Sequence, residues 1–364
     1  MTALLRATPF HARAAEANRG NVWRARCGWT LAARYENAES EALAARLTAA
    51  LIDISWRWRV NVEGPRAEEF LGRLLTRNPA RLAPGEAFKA LWLTDRGAVR
   101  GACALARRGA DAFTLISAQA DPDWLLRAGA LFEVRIAEIG EEEGGLAIVG
   151  PYARRIVEAA GLDAALEPLA FRALAWRGVE AALSRFGEHG GYEVWCKADD
   201  APRVWDRLMR AGKDFALRPA GLDAADILDL EAGAPRPGRD YESARDGFAD
   251  EPSPFELGLE SLIDRDHHGF NGRRALAGVA RSRRCVGLAI EGETPRPRTA
   301  LLDGAAPVGG TLGSLYSPAL RQAIALALVG EAFAETGTEL RLASGEPARV
   351  AALPFLARPD PIAS

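Results

Sequence analysis

Between residues 183 and 233 the spacing of apolar and polar positions changes twice, and that stretch organises the reading of the whole chain. At its start Tyr192, Val194 and Trp195 are strand formers behind a glycine-broken turn at Gly187, Gly190 and Gly191, with Glu193 held among them. From 199 to 211 the period lengthens. Val204, Leu208 and Ala211 recur at helical spacing after an Asp-Asp-Ala-Pro start, and Gly212 ends the helix. A second helix opens after Arg218-Pro219-Ala220-Gly221, with apolar positions Leu222, Ala225, Leu228 and Ala232, and closes at Gly233.

The same patterning predicts the rest. Residues 1–48 read as a loop followed by a helix over 39–47. Positions 51–62 alternate as one strand: Trp56, Trp58, Val60 and Val62 share one face, and Arg57, Arg59 and Asn61 the other. A helix over 66–77 buries Phe70, Leu71, Leu74 and Leu75; strand, turn and strand follow over 91–106, a third strand over 113–117, a helix over 123–130 and a strand over 132–139. The acidic and glycine-rich run 140–145 reads as a solvated exit linker. After a strand over 146–150, a helix over 151–160 and two strands over 171–184, the organising stretch begins. The segment 234–253, broken by proline and glycine, reads as a long loop. From 281 onward short strands and turns recur, as in a small barrel or sandwich.

Length adds that one core is not enough: 364 residues at ~150 per domain suggest two or three domains. With 48% apolar residues, substantial cores can form. A net charge of -3 with interspersed signs gives no footprint for nucleic acid or an anionic membrane surface. Cys27, Cys103, Cys196 and Cys285 are too scattered for a zinc site or a disulfide framework and read as reduced cytoplasmic thiols. No run approaches the ~20 apolar residues of a membrane span, and the N-terminus is arginine-bearing and poor in acids, as a transit peptide would be. His267 and His268 are adjacent, which is not metal-ligand spacing, so no metal is expected. No phosphate loop, dinucleotide fingerprint or nucleophile elbow appears.

The phrases themselves carry a resemblance. Gly-Tyr-Glu-Val around Glu193, LRPAGL at 217, LEAG at 230, LIDIS at 51, PFELGLESLID at 254, GFNGRRAL at 269 and LGSLYSPAL at 312 occur in one order along the chain. In that order they resemble the glycine-cleavage T-protein (aminomethyltransferase) superfamily, and Thr8-Pro9-Phe10-His11 resembles its N-terminal segment. The spellings Leu-Ile-Asp-Arg-Asp and Gly-Tyr-Glu-Val-Trp look nearer to its dimethylsulfoniopropionate demethylase and aromatic O-demethylase branches. The resemblance implies an α+β fold in three domains, forming a ring with a central folate cavity and ending in a small C-terminal β-barrel. The expected division is 1–50 with 145–275, then 51–144, then 276–364.

The resemblance also implies tetrahydrofolate as the one-carbon acceptor and a small N-, S- or O-methylated compound as donor. Glu193 matches the glutamate that holds the pterin ring, with Tyr192 and Phe186 beside it. Trp56, Arg57, Arg59, Arg100 and Tyr241 are expected on the substrate side. The chain departs from the family in one respect that bears on chemistry. Where aminomethyltransferases carry a Gly-Gly-x-x-Asp-Asp phrase, both acidic positions here are small, Gly101 and Ala102, and the nearby Asp95 lies on a turn. A non-catalytic folate-binding protein is therefore the alternative reading. The second helix carries Asp226 and Asp229 where the family pattern is arginine-bearing, which implies a loss of positive charge there. A partner subunit or a second copy of the chain is compatible with either reading.

Overall fold

The protein is described by a computed structural model over residues 5–187, 191–241, 243–244, 251–279 and 281–357; Glu188 and Gly190 of the expected turn lie outside the described residues. Three β-systems dominate. A six-stranded sheet has the order Phe171–Trp176, Val179–Ser184, Tyr192–Lys197, Glu143–Val149, Ala49–Asp53, Leu217–Ala220, antiparallel except for its last pair. A five-stranded antiparallel sheet has the order Ala87–Leu93, Val99–Gly109, Ala112–Ser117, Trp58–Glu63, Arg135–Glu138. The third is a closed barrel built from the six strands between Arg283 and Ala351. The fold is thus α+β with a C-terminal barrel, as the phrases implied. No helix is long and apolar enough to cross a membrane among the described residues.

The expected strand over 51–62 is two strands, one in each sheet. The chain leaves the six-stranded sheet after Asp53, turns through 54–57 and enters the five-stranded sheet at Trp58. The turn is tied down by Ile54 N–H to Gly145 O at 2.9 Å and Arg57 N–H to Ile54 O at 3.1 Å, while Gly145 N–H donates to Ser55 Oγ at 3.1 Å. From 58 onward the alternation is as expected. Trp58, Val60 and Val62 pack on Phe70, Leu71 and Leu74 of the helix Ala67–Leu74, and Arg59 and Asn61 face the other way.

Two other expectations change. The run 140–145 is not all linker, because Glu143, Gly144 and Gly145 already belong to the strand Glu143–Val149. The glycines are there for space: a Cβ at Gly144 would lie 2.7 Å from the Phe10 ring, and one at Gly145 2.5 Å from the Trp195 ring. The first 48 residues are not a simple loop and helix either. Arg6–Ala7, Trp29–Ala32 and Trp23–Arg26 form a small sheet beside the helix His11–Ala17, and Phe10 is in the main core.

This N-terminal segment is held by Asp53, whose buried carboxylate accepts from Thr8 Oγ1 at 2.6 Å and from Ser55 N–H at 2.9 Å. Burial pushes the Asp53 carboxyl above its usual range, against the pull of those hydrogen bonds. A raised folded-state pKa means the folded protein holds the proton that the unfolded chain has lost. Its stabilising contribution is full below the unfolded carboxyl value and is lost as pH rises through the folded one. Asp53→Asn is therefore expected to flatten the fall in denaturation midpoint as pH rises above about 4, the unfolded carboxyl value. An unchanged pH slope in urea titrations would show that Asp53 is not the group responsible.

Candidate functional site

On the strand Tyr192–Lys197 successive side chains take opposite faces. Tyr192, Val194 and Cys196 enter the core formed with the helices Ala153–Ala159 and Ala201–Ala211, whereas Glu193 and Trp195 share the other face, where Trp195 packs on Ile52 and Ala147 and also borders the cavity between the two sheets. Glu193 is only 2% exposed and is ion-paired to Arg57, also 2% exposed, with Nη1 donating to Oε1 at 2.7 Å. Its second oxygen accepts from Ser184 Oγ at 3.3 Å, directly across the strand pair, and from Trp195 Nε1 at 3.4 Å. A carboxylate this deep is tolerable because a cation and hydrogen bonds replace its water.

Beside this group the two sheets enclose a cavity of about 240 Å³, walled by Phe171, Phe186, Ile116 and Trp195 with Asn61, Thr114 and Ser184 as polar contacts. Arg59 is part of the wall. Its guanidinium lies 4.1 Å over the Trp195 ring and is paired with Glu143. Burial pushes the Arg59 guanidinium below its usual range, and Glu143 opposes that shift. Arg108 and Lys197 also line the cavity, paired with Glu63 and Glu180. Glu143 went unnoticed in the sequence because it ends a run of acids. The Gly-Gly and apolar residues that follow it mark a strand start in close contact with an aromatic ring.

The expected residues divide cleanly. Glu193, Arg57, Arg59 and Phe186 converge on the cavity or on the wall behind it. Tyr192 does not: its ring is in the core, and its hydroxyl donates to Ala164 O at 2.9 Å. Trp56 belongs to the turn, packs on Trp29, Leu31 and Leu222, and carries Arg26 at 4.8 Å over its ring. Arg100 donates to Asp121 at 2.7 Å and covers Trp124, away from the cavity. Tyr241 packs with Leu91, Leu93, Val99 and Phe270, with no hydrogen-bond partner for its hydroxyl among the described residues. Burial raises the Tyr241 pKa.

Positions 101 and 102 take different faces. Gly101 lies opposite Trp92, and a Cβ there would come within 2.4 Å of the indole. Ala102 lies opposite Leu91 and packs on the Tyr241 cluster. Asp95 is an exposed turn residue. Asp226 and Asp229 take arginines from elsewhere: Arg24, Arg26 and Arg239 meet Asp226, and Arg236 meets Asp229. Burial alone would raise the Asp226 carboxyl, yet these cations hold it below the usual range. His267 Nε2 lies 2.7 Å from Gly72 O, against Phe270, and no group of three or more His, Cys, Asp or Glu suited to a metal occurs among the described residues.

Residues 11–267 match the GCVT N-terminal domain and residues 283–356 the Glycine cleavage T-protein C-terminal barrel domain. The aminomethyltransferase of Moorella thermoacetica is 31% identical over 357 residues, covering 91% of this chain and 93% of its own length. That of Streptomyces coelicolor is 31% identical over 353 residues, covering 91% and 92%. The crystal structure of glycine cleavage system aminomethyltransferase T from Bartonella henselae superposes with a TM-score of 0.87 at 25% identity, over 97% of this chain and 99% of that one.

Proposed function

The chain belongs to the glycine-cleavage T-protein family, and from that membership we propose that it is a tetrahydrofolate-dependent one-carbon transferase that demethylates a small N-, S- or O-methylated compound. The observation that carries the reading is a buried carboxylate, Glu193, behind an aromatic-walled cavity between the two sheets. The residues present fit a reduced folate. Phe171 and Phe186 offer aromatic surface for a flat ring, the Glu193 carboxylate behind the wall can accept paired N–H donors, and Arg59, Arg108 and Lys197 line a cavity whose ligand would carry an anionic tail. Tetrahydrofolate, when bound, supplies the nitrogen that takes the one-carbon unit.

With Gly101 and Ala102 in place of acids, no side chain at those positions can pass a proton or stabilise charge on nitrogen. What remains for the protein is to bind, align and exclude water. Proximity of that kind contributes up to ~7–11 kcal/mol. One observation favours a second reading, a folate-binding protein without turnover: the Trp92 indole fills the space that an acid at 101 would need.

Calorimetric titration with tetrahydrofolate, followed by assay for methyl-tetrahydrofolate across a panel of methylated donors, separates the two. Binding with turnover supports the transferase, and binding without turnover on any donor supports the second reading. No heat at millimolar cofactor would sink both. Glu193→Gln is expected to weaken the affinity at least tenfold, since a charge-assisted hydrogen bond contributes ~1.5–3 kcal/mol. An unchanged affinity would remove Glu193 from the site.

A further inference from the structure

The carboxylate that this function needs is already occupied. Arg57 reaches Glu193 from the short turn between the two sheets, and the backbone of that turn is fixed by its bonds to Gly145 and within itself. The guanidinium takes Oε1; Ser184 and Trp195 take Oε2. Ser184 and Trp195 line the cavity, whereas Glu193 and Arg57 lie behind that wall. A ligand in the cavity that seats a paired N–H edge on the carboxylate displaces donors that are now bonded to it.

The chemistry of the occupant says which ligands can do so. A guanidinium presents N–H groups side by side to a carboxylate, and the 2-amino-4-oxo edge of a pterin presents N3–H and the 2-amino group in the same way. Stripping a partner from a buried ion pair is strongly unfavourable unless another donor set takes its place. Arg57 makes one bond to the carboxylate, from Nη1 to Oε1; a ligand with a single donor replaces that bond alone and an acceptor replaces none, whereas a paired N–H edge can reach both oxygens. On the premise that the cavity binds folate, we propose that Arg57 is a specificity-determining residue. It holds the seat on Glu193 in the ligand-free protein, acts as an internal competitor, and yields only to a planar ligand with paired N–H donors.

The test uses the full chain and four proteins: wild type, Arg57→Met, Arg57→Gln and Glu193→Gln. Each is titrated with tetrahydrofolate, with pterin, and with lumazine, which carries oxygen in place of the 2-amino group. Arg57→Met removes the competitor and is expected to bind tetrahydrofolate at least tenfold more tightly than wild type. Pterin is expected to outbind lumazine in wild type and Arg57→Met, and the preference should vanish in Glu193→Gln. If Arg57→Met does not fold, Arg57→Gln, which keeps one donor for Glu193, should show the same tightening to a smaller degree. Equal or weaker tetrahydrofolate binding in a folded Arg57 variant would overturn the inference and leave Arg57 a strut between sheets, with the folate reading intact. Absence of tetrahydrofolate binding in wild type and variants alike would remove the folate reading and this inference with it.

Discussion

Gly101→Asp, which restores an acid at one of the two positions where the family pattern has one, is expected to leave little or no folded protein. The strands Ala87–Leu93 and Val99–Gly109 pair so that Gly101 stands directly opposite Trp92, on the same face of the sheet. A Cβ at 101 would lie 2.4 Å from Trp92 Cε2 and Cζ2. The indole cannot swing away, because it is buried against Trp58, Leu74 and Leu115 and stacked on Trp124 at 6.0 Å. Overpacking of this kind costs about 1–3 kcal/mol. A carboxylate forced in beside it without a partner adds several more. Against a total stability of ~5–15 kcal/mol the sum is decisive. Ala102→Asp is the control, since that position takes the opposite face and is half-buried. It is expected to yield folded protein, and Trp92→Ala should make the Gly101→Asp change far less costly than it is alone. Melting curves and soluble yield of the four variants decide it. Parent-like melting of Gly101→Asp would mean that the indole does not fill that space.

The same pairing explains why the departure at 101 was legible in the sequence and its reason was not. The loss of two acids is visible against the phrase that the resemblance supplies, but that a tryptophan nine residues earlier occupies the space depends on strand register. Periodicity served best where one face is wet or faces a cavity. The alternation of Trp58, Val60 and Val62 against Arg59 and Asn61, the helix Ala201–Ala211 and the barrel strands all follow the pattern. It failed at 54–57, where every residue is buried and neither glycine nor proline marks the turn, so two strands read as one. Tyr192 and Glu193 are neighbours in sequence, and pleating alone sends one into the core and the other to its ion pair with Arg57 behind the cavity wall. Asp226 is answered by Arg24 and Arg26 from the N-terminal sheet, a pairing that local spacing cannot reveal. Glu193, Arg57 and Arg59 stand out through the resemblance, and all three are buried and ion-paired.

Glu231→Ala is expected to cost about 3–5 kcal/mol of stability, the range for breaking a buried ion pair by removing one partner. Glu231 is fully buried at the end of the helix Leu222–Glu231, in the LEAG phrase, and it joins three parts of the molecule. Arg46 of the helix Ala38–Leu47 donates to it through Nε at 2.6 Å, and Ser317 of the barrel strand Ala306–Ser317 donates through Oγ at 2.5 Å. Arg46 also donates to Ala357 O at 3.0 Å, and Leu356 N–H donates to the Glu231 carbonyl at 3.0 Å, so the C-terminal segment is held at the same point. Without the carboxylate, Arg46 keeps only the Ala357 carbonyl among these acceptors, and the buried Ser317 hydroxyl loses its acceptor. Glu231→Gln retains an acceptor for Ser317 and should fall between parent and alanine. Because Glu231 and Ser317 share one hydrogen bond across the barrel contact, Ser317→Ala should add much less in the Glu231→Ala background than it costs alone. Urea denaturation of the two single variants and the double closes that cycle. Additive losses, or a Glu231→Ala loss below about 1 kcal/mol, would mean that the barrel is held to the helices by apolar contact and not by this carboxylate.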